Sequence, residues 1–305
     1  AVYPVYLFGR VATGDPLATL IIAPVILLLF LLMYFLISRS FLSIATSTSE
    51  RGTGKTYRKG TVGKRDNVNA ALFKKELRRF TSNPTYILNC GFGILFLPAG
   101  GVLLLMKGKD LFGELGEALG MQSGLVPAIL TAAVCALALM NDMAAPSVSL
   151  EGKSMWLLQS LPVTPWQVFR AKLSVQLTLT WVPMLICLGF VAFAYPFTSA
   201  ELVMTMVLPL LFVFFKALFD LTLGLRLANL TWTSEITPIK QGGAVALSLL
   251  GGFLYPLLYA AGYLIFGHLA GMPLYTAVFA VLTVGGCTAL LIWLKKRGTA
   301  IFASL

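Results

Sequence analysis

Between residues 241 and 294 the only ionisable side chains are His268, Cys287 and the tyrosines. A membrane-crossing helix needs about 20 largely apolar residues. A stretch this long without fixed charge therefore holds two such helices, and the turn residues Gly267, His268, Gly271 and Pro273 are expected to part them. The rest of the chain agrees. Of its 305 residues, 58% are hydrophobic and 11% charged, and its mean hydropathy is +0.85; a soluble domain is nearer about half apolar and about a quarter charged. A water-soluble globule cannot hide that much apolar surface, because roughly a quarter of it stays exposed even at this size. Disorder, collagen and small disulfide scaffolds are excluded by the same figures. The expected fold class is an all-α integral membrane protein.

Five further apolar runs bring the expected number of spans to seven. They are residues 17–37, 86–106 (interrupted by Asn89, Pro98 and glycines), 117–142, 173–195, and 202–225, which carries Lys216 and Asp220. Orientation follows from the loops, since Lys and Arg accumulate on the cytoplasmic side. Residues 38–85 are strongly basic and are expected inside. Residues 107–124 carry Lys107, Lys109, Asp110, Glu114 and Glu117, a net negative loop expected outside. Lys153, Arg170 and Lys172 put the next loop inside, Glu201 marks a short outer loop, and Arg226, Lys240 and the tail Lys295, Lys296, Arg297 are inside again. Strict alternation places the chain as a multi-pass protein of the cell membrane, its first residues external and its C-terminus cytoplasmic.

The formal net charge is +11, from 23 Lys+Arg against 12 Asp+Glu, and eleven of the basic residues lie between Arg39 and Arg79. In a soluble protein that excess raises the question of nucleic acid. Beside a span it marks topology and attracts anionic lipid head groups, so membrane lipids and no nucleic acid are the expected partners. Residues 43–67 are rich in Ser, Thr, Gly and basic residues without apolar periodicity, as in a flexible linker. Gly52, Thr53, Gly54, Lys55 and Thr56 look like the end of a phosphate-binding loop, but that motif needs a glycine five residues before the Gly-Lys pair, and Ser49 stands there. No cofactor is expected in this chain. Cys90, Cys135, Cys187 and Cys287 all fall in apolar stretches and read as small buried hydrophobes, with neither a disulfide framework nor a metal site.

The sequence opens at Ala1 with no methionine and no basic signal region, although residues 1–16 are expected outside. The expectation is a C-terminal part of a longer membrane protein. Residues 1–41 would be an external segment and the last span of a missing upstream half, 42–68 a flexible basic cytoplasmic linker, and 69–305 a six-span domain opening with an amphipathic helix. In that helix Phe73, Leu77 and Phe80 recur on one face, and Lys74, Lys75, Arg78 and Arg79 occupy the other. A basic amphipathic helix ahead of a span lies in the interface plane; it reads as a plain anchor or as an elbow that starts a transporter domain. Residues 141–172 form the most informative cytoplasmic loop. A short helix is expected over 152–160, with Met155, Trp156, Leu157 and Leu161 as an apolar cluster, ended by Pro162. Such a helix docks in a groove on a soluble partner or anchors at the interface through Trp156.

Ser149-Leu150-Glu151-Gly152, then Leu157-Leu158, Ser160-Leu161-Pro162, and Phe169 to Lys172 resemble the signature of ABC-2 type exporter permeases. In that family an acidic start, a Gly, a Leu-Leu…Pro step and a Lys at the next span form the coupling loop. Phe73 to Pro84 (FKKELRRFTSNP) resembles the elbow segment ahead of the family's first span, and Trp232 to Gly243 (WTSEITPIKQGG) the later cytoplasmic loop of permeases with two halves per chain. The resemblance covers about residues 70–297 and implies six spans after the elbow. The short turn at 267–273 leaves little room for re-entrant helices or a large external cap. What it implies is a permease subunit paired with a cytoplasmic ABC ATPase, which carries ATP and magnesium, and with a second transmembrane half from the same full-length chain or another copy. The coupling loop would comprise Glu151, Gly152, Lys153, Trp156, Leu157, Ser160, Leu161 and Pro162, with Trp156 and Leu157 as knobs and Glu151 and Lys153 pairing at the rim.

Lys216 and Asp220 stand four residues apart in the fifth span, hence on one helix face. Charges at membrane depth mark a function or a pair. Here they neutralise one another, or Asp220 lies near the cytoplasmic end where Arg226 can reach it, or they serve substrate passage or ion coupling. A secondary transporter therefore stays open as an alternative. A seven-helix receptor also fits the span count and orientation, though residues 274–294 hold no lysine for a retinal Schiff base. An intramembrane enzyme finds no motif: the chain has one His, no HExxH and no GxSxG.

Overall fold

The computed structural model describes residues 3–47, 67–118 and 124–305, in two compact units, residues 1–65 and 66–305. Most of the expected linker, with Gly52 to Thr56, lies outside the described residues. Among the described residues the structure is helical, with one isolated bridge between Gly91 and Asn141 in place of any strand. Five helices are long and apolar enough to cross a membrane: Pro16–Arg39, Pro165–Ala194, Ser199–Arg226, Thr237–Gly267 and Leu269–Ser304. Two shorter apolar helices, Gly93–Gly108 and Leu125–Ala138, stand where the second and third spans were expected. The chain is an all-α membrane protein.

The first unit holds α1 (Tyr3–Ala12) and α2 (Pro16–Ser47). The turn between them needs Gly14, whose φ of +83° is left-handed. Asp15 then starts α2 by accepting a hydrogen bond from the Leu17 amide at 2.9 Å, and it pairs with Arg10. Leu7, Val11, Ala18 and Ile22 form a small cluster at this corner. Beyond it the apolar side chains from Val25 to Ile37 stay exposed, as suits a helix in contact with hydrocarbon.

The second unit opens with α3 (Val68–Ser82), α4 (Pro84–Cys90), α5 (Gly93–Ala118) and α6 (Leu125–Ala138). A short α7 (Ala144–Ser147), a 3-10 turn (Ser149–Ser154) and α8 (Met155–Ser160) lead into α9 (Pro165–Ala194) and α10 (Ser199–Arg226). A π-turn (Thr237–Gln241) precedes α11 (Gly243–Trp293), and a second (Leu294–Gly298) precedes α12 (Thr299–Ser304). The starts of α9 and α10 have a local cause. Thr164 with Gln167, and Thr198 with Glu201, form reciprocal capping boxes that satisfy the first free amides. Within the bundle α9 packs on α5, α3 and α10, while α10 packs on α11 and α6.

Two elements depart from the sequence expectation, and a third follows it. Helix α5 runs past the expected end of the second span at Met106 and continues to Ala118, so the first part of the expected outer loop is helical. Helix α6 stops at Ala138, well short of Asp142, and the chain turns inward instead of emerging. The long uncharged run 241–294 follows one helical path broken at Gly271, whose φ is +70°. That break falls in the expected turn. Tyr275 donates to the Tyr259 carbonyl at 2.9 Å, and Tyr259 and Thr276 hydroxyls meet at 2.8 Å, holding the two halves of α11 together. The four cysteines are free and buried.

Candidate functional site

Every residue from 141 to 152, the first part of the expected cytoplasmic loop, is buried. Buried backbone must find partners, and neighbouring elements supply several. The Asp142 amide donates to the Cys90 carbonyl at 3.1 Å, and the Ala144 amide to Gln176 Oε1 at 2.7 Å. Ser149 is held twice: its Oγ accepts from the Asn229 amide at 3.0 Å and its carbonyl from Trp232 Nε1 at 2.6 Å. Gly224 on α10 makes the approach possible, since a Cβ there would lie 2.5 Å from the Ala145 carbonyl oxygen.

At one end of this segment lies a cluster of five charges. Lys172 Nζ, on α9, is 2.9 Å from Glu151 Oε1, 3.1 Å from Glu76 Oε2 and 2.9 Å from the Ser147 carbonyl. Arg79 Nη2 reaches Glu151 Oε2 at 2.7 Å, and Lys75 Nζ lies 3.1 Å from both Glu151 oxygens. Burial works to raise the Glu151 carboxyl, but Lys172, the Arg79 hydrogen bond and charge, and Lys75 outweigh it and hold it well below the ordinary carboxylate range. Glu151 is thus the hub that ties α3 to α9 through the 3-10 turn. Its expected rim pairing with Lys153 is not formed: three cations surround Glu151 inside, and Lys153 points outward. A surface pocket of about 540 Å³ lies alongside, lined by Arg79, Glu151, Lys153, Trp232 and Glu235 among others.

This cluster also rotates the expected faces of α3. The buried stripe is Leu72, Glu76 and Phe80, with Phe73 and Leu77 only half-buried. Lys75 and Arg79 turn inward toward Glu151, while Lys74 and Arg78 are exposed. The ion pairs, more than the aromatic spacing, decide which side of α3 faces the protein.

At the other end of the buried segment, among the apolar helices, lies a second cluster. Lys216 Nζ is 2.7 Å from both oxygens of Asp220, 2.6 Å from Ser248 Oγ and 3.4 Å from Asp142 Oδ1. Ser248 donates to Asp220 at 2.6 Å, and Gln176 Nε2 at 2.9 Å. A Cβ on Gly252 would come within 2.6 Å of Lys216 Cε, so α11 closes directly over the lysine. Arg226 does not reach Asp220; its guanidinium stacks on Trp293, 4.7 Å from the ring centroid. Sequence reasoning found Lys216 and Asp220 but missed Asp142, Gln176 and Ser248. The available signal was Lys172 and Gln176, four apart in a span and so on one face of α9.

The expected helix over 152–160 begins later, at Met155, because Gly152 has a left-handed φ of +50°. A side chain at Gly152 would also press on the Trp232 ring, 2.8 Å from the Cβ position. In α8, Met155 and Leu158 point inward, while Trp156 (67% exposed), Leu157 and Ser160 face out, as do Leu161 and Pro162 just beyond it. Gln159 ties α8 to the C-terminal helix by donating to the Phe302 carbonyl at 2.8 Å. Comparison with known protein families, with curated proteins and with solved structures finds no match for this chain.

Proposed function

We propose that this chain is the membrane-spanning permease subunit of an ATP-binding cassette exporter, driven by a separate cytoplasmic ATPase that holds the ATP and magnesium. One observation carries the reading. The buried segment 141–152 runs without a break from the Lys216 cluster among the apolar helices to the exposed face of α8. Packed protein interiors transmit displacement because they hardly compress. A push on Trp156 and Leu157 would pass along this segment to α9 and α10, with Gly152 as the point where the chain changes direction.

The other parts fit the same task. The Glu151 hub fastens α3, the elbow of this reading, to α9, so that α3 and the coupling segment move together. Helices α5 and α6 complete six spans with α9, α10 and the two halves of α11. The basic ends then lie in the cytoplasm of a cell-membrane protein, and a second transmembrane half, from the same full-length chain or another copy, completes the transporter. Transport of substrate, not chemistry on it, is the activity, so the chain itself is no enzyme.

The test is gentle solubilisation of the full-length protein, affinity purification and mass spectrometry of what comes with it. A stoichiometric ABC ATPase is expected, lost when Trp156 and Leu157 are both changed to Ala. In reconstituted vesicles Trp156→Ala is expected to uncouple ATPase stimulation from transport. A preparation without ATPase, or coupling unchanged in that variant, would sink the reading.

A further inference from the structure

The Lys216 cluster holds two carboxylates and one ammonium group, and all three residues are at most 2% exposed. The two carboxylates are not equivalent. Asp220 accepts hydrogen bonds from Lys216, Ser248 and Gln176, and donors of that kind favour an ionised carboxyl. Asp142 is as deeply buried, yet neither of its carboxyl oxygens accepts a hydrogen bond. The groups that face it are Lys216 and Asp220 from α10, Ser248 from α11, and Cys90 and Tyr86 from α4, with Gln176 of α9 bonded to the neighbouring Asn141 carbonyl. Among the described residues Lys216 is the one cation paired with it, at 3.4 Å, and that ammonium is already shared by both Asp220 oxygens and Ser248. The side-chain amide of Asn141, next in the chain, is buried without hydrogen-bond partners too.

With both acids ionised the cluster would carry one uncompensated negative charge away from water, an arrangement that proteins avoid by neutralising the group. We propose that Asp142, Lys216 and Asp220 form a proton-binding site, and that the sealed arrangement holds one proton on Asp142. The proton arrives from water as hydronium and leaves to water or hydroxide; no other bond forms or breaks. Its departure leaves a second carboxylate on a single ammonium, and that charge needs water. Hydration requires α10 and α11 to part where Gly252 now closes over Lys216. Proton occupancy and closure of these helices are thereby linked. The site stands apart from the exporter reading, since it needs no ATPase to exist.

The experiment is infrared difference spectroscopy of the purified full-length protein in lipid vesicles, stepped from acid through neutral to alkaline buffer. Wild-type protein is expected to show a protonated-carboxyl C=O band at neutral pH that disappears in alkali. Asp142→Asn, which keeps the shape of the side chain, is expected to lose that band, and Glu201→Gln, at the capped start of α10, to keep it. A measurement that needs no variant is incorporation of aspartate isotopically labelled at its side-chain carboxyl, which should shift the wild-type band. Absence of the band at neutral pH, its persistence in a folded Asp142→Asn protein, or its failure to shift with labelled aspartate overturns the proposal. ATPase association is read separately, so either result leaves the exporter reading to its own test.

Discussion

Two charge clusters lie one helical turn apart on α9, anchored by Lys172 and by Gln176, and the segment 141–152 threads both. They contain almost the same chemistry and opposite imbalances. The Glu151 cluster has three cations for two carboxylates; the Lys216 cluster has one cation for two. What separates them is water. Lys75 is 37% exposed and Arg79 24%, so the surplus positive charge of the first cluster rests on side chains that solvent reaches. In the second cluster every charged group is at most 2% exposed, and its surplus has no such outlet. The first is built as a fastener with slack. The second tolerates no mismatch, which is why a proton belongs there.

The largest effect should come from removing the cation that has no substitute. With the proton on Asp142, Lys216→Met leaves the Asp220 carboxylate buried without a counter-charge, and breaking a buried pair in this way costs about 3–5 kcal/mol. The midpoint of thermal unfolding in detergent should fall accordingly, and the double change Lys216→Met with Asp220→Asn should recover a good part of the loss. The deficit should also shrink in acid, because protons replace the missing ammonium charge. If Lys216→Met unfolds no more easily than a change at Lys75, water reaches the inner cluster and the contrast fails.

Lys172→Met tests the fastener at its buried end. Glu76 and Glu151 lose a shared partner, yet Arg79 and Lys75 remain on Glu151. A buried, charge-assisted hydrogen-bonded group of this kind is worth about 1–3 kcal/mol, so the loss should be smaller than at Lys216. The pH dependence has a definite sign. The Glu151 carboxyl is held below its ordinary value of 4.5, so its contribution to stability is complete above that value and lost as pH falls through the depressed range. Thermal melts of wild-type protein against Glu151→Gln should therefore converge in acid, whereas the inner cluster weakens in alkali. A third change separates geometry from charge. Gly152→Ala imposes a left-handed backbone on a residue with a Cβ and pushes on Trp232, at a cost of about 1–3 kcal/mol. Trp232 fluorescence should shift while the response to salt stays that of wild-type protein.

The sequence made the outer features of this architecture legible, and the inner ones much less so. Hydropathy marked the apolar helices because their length is imposed by the bilayer, and the break in α11 was readable from Gly271 and its neighbours. The spacing of Lys216 and Asp220 put them on one face. Asp142 escaped because it follows the end of α6, where a charge ordinarily signals exit to water; here tertiary bonds to Cys90 and Gln176 turn the chain inward. Glu76 escaped for a related reason. On α3 the periodic Phe73, Leu77 and Phe80 suggested the inner face, but a carboxylate with Lys172 waiting for it outweighs two half-buried apolar side chains. Periodicity reports which residues avoid water, and it says nothing about charges that find each other across the fold.

The smallest expected effect sharpens the comparison most. Lys75 touches both Glu151 oxygens at 3.1 Å and lies 3.6 Å from Glu76, the same two carboxylates that Lys172 holds. Lys75 is nevertheless partly in water, where ion pairs are worth about 0–1 kcal/mol, and Glu151 keeps Arg79 and Lys172 when Lys75 is gone. Lys75→Met should therefore move the unfolding midpoint little. Raising the salt from low ionic strength to roughly 1 M, where the screening length falls to about 3 Å, should erase what difference there is, while the deficit of Lys216→Met stays. A large, salt-insensitive loss at Lys75 would mean that the surplus charge of the outer cluster is as sealed as that of the inner one, and that water is not what divides them.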